Sequence, residues 1–113
     1  MNFKDLVRIY DGKDSVSIVI IHDYCRCAID CSIVDGEVIL NRLIVHEKLR
    51  RKGISKLLME ELCNYLDRKK FNCVLGVESD DPLGMNDDLL VEFYKQYGFE
   101  STTESKYFMK RYS

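Results

Sequence analysis

The sequence predicts an α/β (α+β) domain on a mixed central sheet, with its elements in the order βββ-α-β-α-ββ. Three observations carry that expectation. Tyr24 to Val34 alternates, with Cys25, Cys27, Ile29, Cys31 and Ile33 on one face and Arg26, Asp30 and Ser32 on the other. That is the pattern of a half-buried strand. Ile54, Leu57, Leu58, Glu61, Leu62, Tyr65 and Leu66 repeat at helical spacing. This helix lies between two apolar runs, and a strand–helix–strand order implies a right-handed crossover between parallel neighbours. At 113 residues, one domain over 1–113 is expected, and 46% hydrophobic content suits one modest core.

Val16 to Ile21 is β-branched and apolar, and reads as the first strand, with fifteen residues before it. His22-Asp23 is a turn candidate, and Asp35-Gly36 is a strong two-residue hairpin turn. Glu37 to Val45 is the return strand, so three antiparallel strands open the chain. Lys56, Glu60, Asn64, Asp67 and Arg68 form the wet face of the helix. Arg68-Lys69-Lys70 closes it with cations at the negative end of its dipole. Cys73 to Val77 is a short central strand. Ser79 to Asp88 holds the only proline and reads as a loop, from which Asn86, Asp87 or Asp88 can cap the next helix. Leu89, Leu90, Phe93, Tyr94 and Tyr97 give that helix its spacing, and Gly98 stands where a helix C-terminal glycine belongs. Phe99 to Ser101 and Tyr107 to Arg111 are the final strands.

The formal charge of −2 and a pI near 5.7 argue against nonspecific nucleic-acid binding. No apolar run approaches the roughly 20 residues of a membrane span. Met1 to Arg8 is unlike a signal peptide, so a cytoplasmic protein is expected. Five cysteines, an odd count, argue against a disulfide framework. Cys25, Cys27 and Cys31 are spaced C-x-C-x3-C, either a metal cluster or one buried strand face; their shared parity favours the strand, and no metal is expected.

Two stretches carry chemistry. From Leu43 an apolar run ends, a basic turn with a glycine follows, and an amphipathic helix begins at once. Free backbone N–H groups, a positive dipole end and cationic side chains then converge, as phosphate binding requires. Arg50-Arg51-Lys52-Gly53-Ile54-Ser55 lacks both the Walker and the G-x-G-x-x-G patterns. Taken alone, it also reads as a solvated basic turn. The second stretch is Asp87-x-x-Leu90-x-x-Phe93-Tyr94-x-x-x-Gly98-Phe99. Tyr94 there is either a core tyrosine or a positioned general acid.

Both stretches occur in order, about forty residues apart, and together they resemble the GCN5-related N-acetyltransferase (GNAT) family. Its pattern is L-x-V at a strand end, Q/R-x-x-G-x-G/A at a helix start, then N-x-x-A-x-x-x-Y-x-x-x-G-F. The resemblance implies a GNAT-like sheet whose two central strands splay around acetyl-CoA. It places Leu43, Ile44 and Val45 along the pantetheine arm, with the Val45 N–H facing the thioester carbonyl. The N–H groups of Arg51, Lys52, Gly53, Ile54, Ser55 and Lys56 would cradle the pyrophosphate, with charge from Arg50 and Arg51. Tyr94 would protonate the departing CoA thiolate, and no cysteine nucleophile is needed. Asp87 stands where the family has Asn, and Asn86 is the substitute one residue earlier; Ser55 replaces the last Gly/Ala. For the base, Glu78 is the first choice and Glu37 the second. Asn41 and Asp80 lie nearby, His22 and His46 are weaker candidates, and a plain surface role stands beside each.

Most family members carry two helices between the first strand and the second, and here they have no room. The resemblance therefore implies an open acceptor groove beside an acidic loop (Glu78, Asp80, Asp81, Asp87, Asp88), as in very small, often phage-borne acetyltransferases. The implied function is acetyl-CoA-dependent transfer to a primary amine by direct attack on the thioester, a protein lysine favoured over a small-molecule amine. The implied partners are acetyl-CoA and that acceptor, without nucleic acid or membrane, and a homodimer is left open. The alternative is an inactive CoA-binding or interaction module. Nucleic-acid binding through Arg50, Arg51 and Lys52 is disfavoured by the acidic balance.

Overall fold

Two tight hairpins build the first half of the sheet in the computed structural model, which describes residues 2–78 and 86–113. Strands β2 (Ser15–His22), β3 (Cys25–Val34) and β4 (Glu37–Ile44) run antiparallel. The second hairpin turns at Asp35-Gly36, as expected, with φ of 51° and 77°. The first turns at Asp23-Tyr24, with φ of 50° and 62°, one residue beyond the expected His22-Asp23. His22 stays in the ladder opposite Cys25, which pushes the turn outward. Positive φ at both central positions defines the type I′ turn, whose twist suits the flanking strands.

The chain opens with one strand more than its sequence announces. After a 3-10 turn at Phe3–Leu6, capped by the Asn2 side chain, β1 (Arg8–Asp11) pairs antiparallel with β2. All four of its residues are exposed, so no buried/exposed alternation marks it. Backbone pairing at the sheet edge holds it in place, and Asp11 accepts from the Tyr65 hydroxyl (2.9 Å) and pairs with Lys69 (3.3 Å) of the following helix. The order is therefore ββββ-α-β-α-ββ, with the rest of the α+β architecture as expected.

The seven strands lie in the order β1-β2-β3-β4-β5-β7-β6. Helix α1 (Ile54–Lys69) carries the crossover from β4 to β5 (Asn72–Gly76), the parallel pair in an otherwise antiparallel sheet. It buries Ile54, Leu58, Met59, Leu62, Tyr65 and Leu66 against β2 and β3. Helix α2 (Asp87–Lys95) buries Leu90, Val91 and Tyr94 in the same core. Its end is a Schellman turn: the Gly98 N–H reaches the Lys95 carbonyl (3.2 Å) and the Phe99 N–H the Tyr94 carbonyl (3.4 Å). Gly98 takes φ +90°, open to glycine and strained for other residues. Beyond β6 (Glu100–Ser101) comes β7 (Phe108–Arg111). From β7, Arg111 grips Asp67 of α1 (3.0 and 3.3 Å) and donates from Nε to the Tyr97 carbonyl (2.8 Å). One guanidinium thus ties a strand to α1 and to the turn that ends α2.

Cys25, Cys27 and Cys31 face this core beside Val16, Ile18 and Ile20, as one strand face. Burial pushes the Cys31 thiol well up and holds the Cys73 thiol at about 12. The opposite sheet face differs in cover. A turn closed by the Gly12 N–H on the Ser15 carbonyl (2.8 Å) joins β1 directly to β2, where the resemblance puts two helices elsewhere. Ile21, Val34 and Phe108 stay exposed on that face. Among the described residues, no helix is long and apolar enough to cross a membrane.

Tyr24 holds a left-handed conformation with a fully exposed side chain. Tyr24→Gly should therefore raise unfolding stability by about 1 kcal/mol, relief of the left-handed strain outweighing glycine's added entropy cost. Chemical denaturation measures this, and a loss of stability would contradict it.

Candidate active site

One extra residue in β4 opens the sheet. Asp30 pairs with Arg42 and Cys31 with Leu40, so Asn41 is the unpaired residue of a β-bulge. The Asn41 Nδ2 donates to Ser32 Oγ (2.7 Å), pinning the bulge to β3. The bulge shifts the burial parity of β4. Val38 and Leu40 are buried before it, Leu43 and Val45 after it. The parallel ladder with β5 ends at the same point, at Leu40 opposite Leu75. Beyond it β4 continues along β3, while Gly76 and Val77 follow Phe108 and Tyr107. The two central strands diverge.

A cleft of about 230 Å³ occupies the gap. Residues 40–44 of β4 form one wall, Gly76, Val77 and Glu78 the other, and Leu90 and Tyr94 of α2 close its inner side. It brings together Leu43, Ile44, Glu78 and Tyr94 from among the expected site residues. The Tyr94 ring is buried and packs against Phe93 (5.3 Å between centroids) and Phe99 (5.9 Å). Val45 is buried just past the cleft wall.

The basic turn has a defined shape. After the 3-10 turn Glu47–Leu49, whose Lys48 N–H is accepted by His46 Nδ1 (3.2 Å), Arg50 Nε donates back to the Val45 carbonyl (3.2 Å). Arg50 therefore braces the turn against the strand end. Arg51 and Gly53 take φ of 64° and 77°, two left-handed residues just before the helix. Gly53 is the N-cap of α1 and has no side-chain cap. The first intrahelical bond comes from Leu57 N–H to the Gly53 carbonyl (3.1 Å), so the N–H groups of Ile54, Ser55 and Lys56 have no helical acceptor. Arg51, Lys52 and Lys56 stand exposed around them.

At α2, Asn86 Oδ1 accepts from Leu89 N–H (2.9 Å), so this oxygen is committed to capping the helix. Asp87 lies one turn before Leu90, and its Oδ1 is buried without a hydrogen-bond partner. A buried acceptor left without a donor calls for one. The uncapped N–H groups at the start of α1 suit an anion, and the Asp87 oxygen is an acceptor open to an N–H donor.

Other expected residues lie apart. Glu37 pairs with Lys110 (3.1 Å) opposite Asn72, at the far end of the β4–β5 ladder. That register removes it from the cleft. His22 packs on Phe3 (5.4 Å) and pairs with Asp23 (3.3 Å). Asp80 and Asp81 lie outside the described residues. Burial raises the thiols of Cys27, Cys31, Cys63 and Cys73, the reverse of an activated nucleophile. Sequence reasoning missed the bulge and Arg42, which lines the cleft beside it. The switch of apolar parity between Leu40 and Leu43 was the available signal.

A mixed sheet split between its central strands lies beside a helix N-terminus whose free N–H groups suit an anion. The family model of the acetyltransferase (GNAT) domain matches residues 9–101, and the chain belongs to that family. Three solved structures share the fold. The PaiA N-acetyltransferase of Thermoplasma acidophilum, in complex with coenzyme A, has 23% identity and a TM-score of 0.66 over 88% of this chain and 62% of its own. The ribosomal-protein-S18-alanine N-acetyltransferase of Escherichia coli has 14% identity and a TM-score of 0.69 over 97% and 83%. The anti-CRISPR protein AcrVA5 has 18% identity and a TM-score of 0.62 over 92% and 96%, so it matches this chain in length. The chain thus spans under two thirds of the PaiA enzyme. No curated protein sequence matches it.

Asp87→Ala should cost at most about 1 kcal/mol of unfolding stability, the helix-dipole share of an N-terminal carboxylate. Its Oδ1 has no hydrogen bond to lose. Denaturant titration checks this, and a loss several times larger would contradict it.

Proposed function

We propose that the protein is an acetyl-CoA-dependent N-acetyltransferase that acts on a primary amine, with a protein lysine favoured. One observation carries the reading: β4 and β5 part beside Tyr94, in line with the uncapped N-terminus of α1. In this reading the N–H groups of residues 51–56 hold the pyrophosphate, and Arg51 adds charge. The backbone of Leu43, Ile44 and Val45 borders the pantetheine arm, and Asp87 Oδ1 accepts one of its amide N–H groups. The acetyl thioester is the acyl donor that coenzyme A brings.

The chain's own groups then move protons. Glu78 takes a proton from the acceptor ammonium, directly or through water. The freed amine attacks the thioester carbonyl carbon, which the Val45 N–H polarises. As the C–S bond breaks, the Tyr94 hydroxyl gives its proton to the leaving sulfur, and the proton that the acylated nitrogen sheds passes through water to restore the phenol. A positioned acid of this kind is worth ~10²–10⁴ in rate, and one oxyanion donor roughly 10²–10³.

The bare outer face favours a macromolecular acceptor. The cleft is smaller than the ~300–1,000 Å³ of pockets that enclose a small molecule. It admits an amine at the end of a side chain and leaves the rest of the acceptor outside.

Calorimetry should show saturable acetyl-CoA binding, and CoA release should follow with lysine peptides. Tyr94→Phe keeps the ring packing and should lower kcat by about 10²–10⁴, with the KM for acetyl-CoA nearly unchanged. Absence of binding overturns the reading. Binding without turnover, indifferent to Tyr94→Phe, assigns the chain to CoA binding alone.

A further inference from the structure

The outer face of the sheet carries a cation that makes no direct contact with a partner among the described residues. By strand register Arg8, Arg26, Arg42 and Lys110 share this face. Three of them are engaged. Arg8 donates to the carbonyls of Asp5 and Val7, Arg26 pairs with Asp30 (3.1 Å), and Lys110 pairs with Glu37 (3.1 Å). Asp30 lies opposite Arg42 in the ladder and feels its charge, yet the carboxylate accepts its hydrogen bonds from Arg26 and from Ser17 Oγ (2.8 Å). Among the described residues, Arg42 alone of the four makes no hydrogen bond or ion pair. It is also the one that lines the cleft, in the wall facing Glu78. A cation on one wall and a carboxylate on the other match an acceptor with both charges.

We infer that Arg42 is a specificity-determining residue that selects acceptors bearing a carboxylate close to the reacting amine. The inference rests on the acetyltransferase reading above. Glu78 takes the ammonium end, and the Arg42 fork takes the carboxylate, a geometry guanidinium groups match with two parallel hydrogen bonds. The bulge at Asn41 sets Arg42 at the point where β4 leaves β5, at the mouth rather than the depth of the cleft. The small cleft limits the selected group to the amine's immediate surroundings. In a protein acceptor the carboxylate is an Asp or Glu beside the lysine. In a free amino acid it is the α-carboxylate.

The test compares initial rates for lysine peptides flanked by Glu, Gln or Lys, and for free lysine against lysinamide. Wild type should favour the Glu-flanked peptide over the Gln-flanked one by about tenfold in kcat/KM, the scale of one charge-assisted contact. Arg42→Ala should erase that preference, and Arg42→Glu should turn it toward the Lys-flanked peptide. The KM for acetyl-CoA should stay unchanged in both variants. An Arg42-dependent preference for free lysine over lysinamide, without one among the peptides, supports the same contact with the α-carboxylate as its source. Peptides acetylated equally, with no preference for free lysine, overturn this inference and leave the acetyltransferase reading standing. A raised acetyl-CoA KM with unchanged acceptor preference assigns Arg42 to the cofactor and also overturns it. A wild-type protein that transfers to no amine in any arm overturns both readings.

Discussion

The bulge at Asn41 is the constraint on which the rest of the site depends. A regular β4 would carry its ladder with β5 to the end, and no gap would exist between the central strands. One inserted residue ends that ladder after Leu40 and reverses the facing of everything beyond it. The core accepts the reversal because Leu43 and Val45 take the buried positions that the new parity offers. Divergence leaves strand edges without partners along the cleft. Such backbone groups are strong donors and acceptors that need partners. The site is a place where the sheet's own bonding is interrupted and a ligand can continue it.

The other half of the site follows from helix geometry. An α-helix always leaves its first N–H groups unbonded, and most sequences cover them with a capping side chain. Here Gly53 holds the cap position without such a side chain, in a left-handed conformation that Arg51 shares. Two clamps keep this shape next to the strand end, the Arg50 guanidinium on the Val45 carbonyl and the His46 ring on the Lys48 N–H. The basic turn is therefore part donor array and part brace. Arg50 serves the brace through its Nε.

Much of this was legible in the residues. The alternation of β3, the Asp35-Gly36 turn, the α1 spacing and Gly98 each follow a period or a backbone requirement that sequence displays directly. Strand β1 displays neither, since all four residues are exposed and contacts distant in sequence define it. The turn at Asp23-Tyr24 was obscured because tyrosine is an unusual occupant of a left-handed position. Glu37 and Glu78 looked alike as carboxylates near central strands. Register separates them, Glu37 at one end of the β4–β5 ladder and Glu78 at the cleft beyond the other. The orphaned oxygen of Asp87 and the guanidinium of Arg42 left without a hydrogen bond are properties of three-dimensional neighbourhoods, which no linear pattern encodes.

The central claim is that the parted end of β4 and the open start of α1 form one continuous coenzyme A site. Amide hydrogen exchange with and without coenzyme A tests it most directly, because the claim concerns backbone groups. The account predicts slowed exchange in two segments together, residues 41–45 and residues 51–56, with β1 and the Asp23-Tyr24 hairpin unchanged. Protection absent from both segments at saturating coenzyme A, or confined to other parts of the chain, would contradict it.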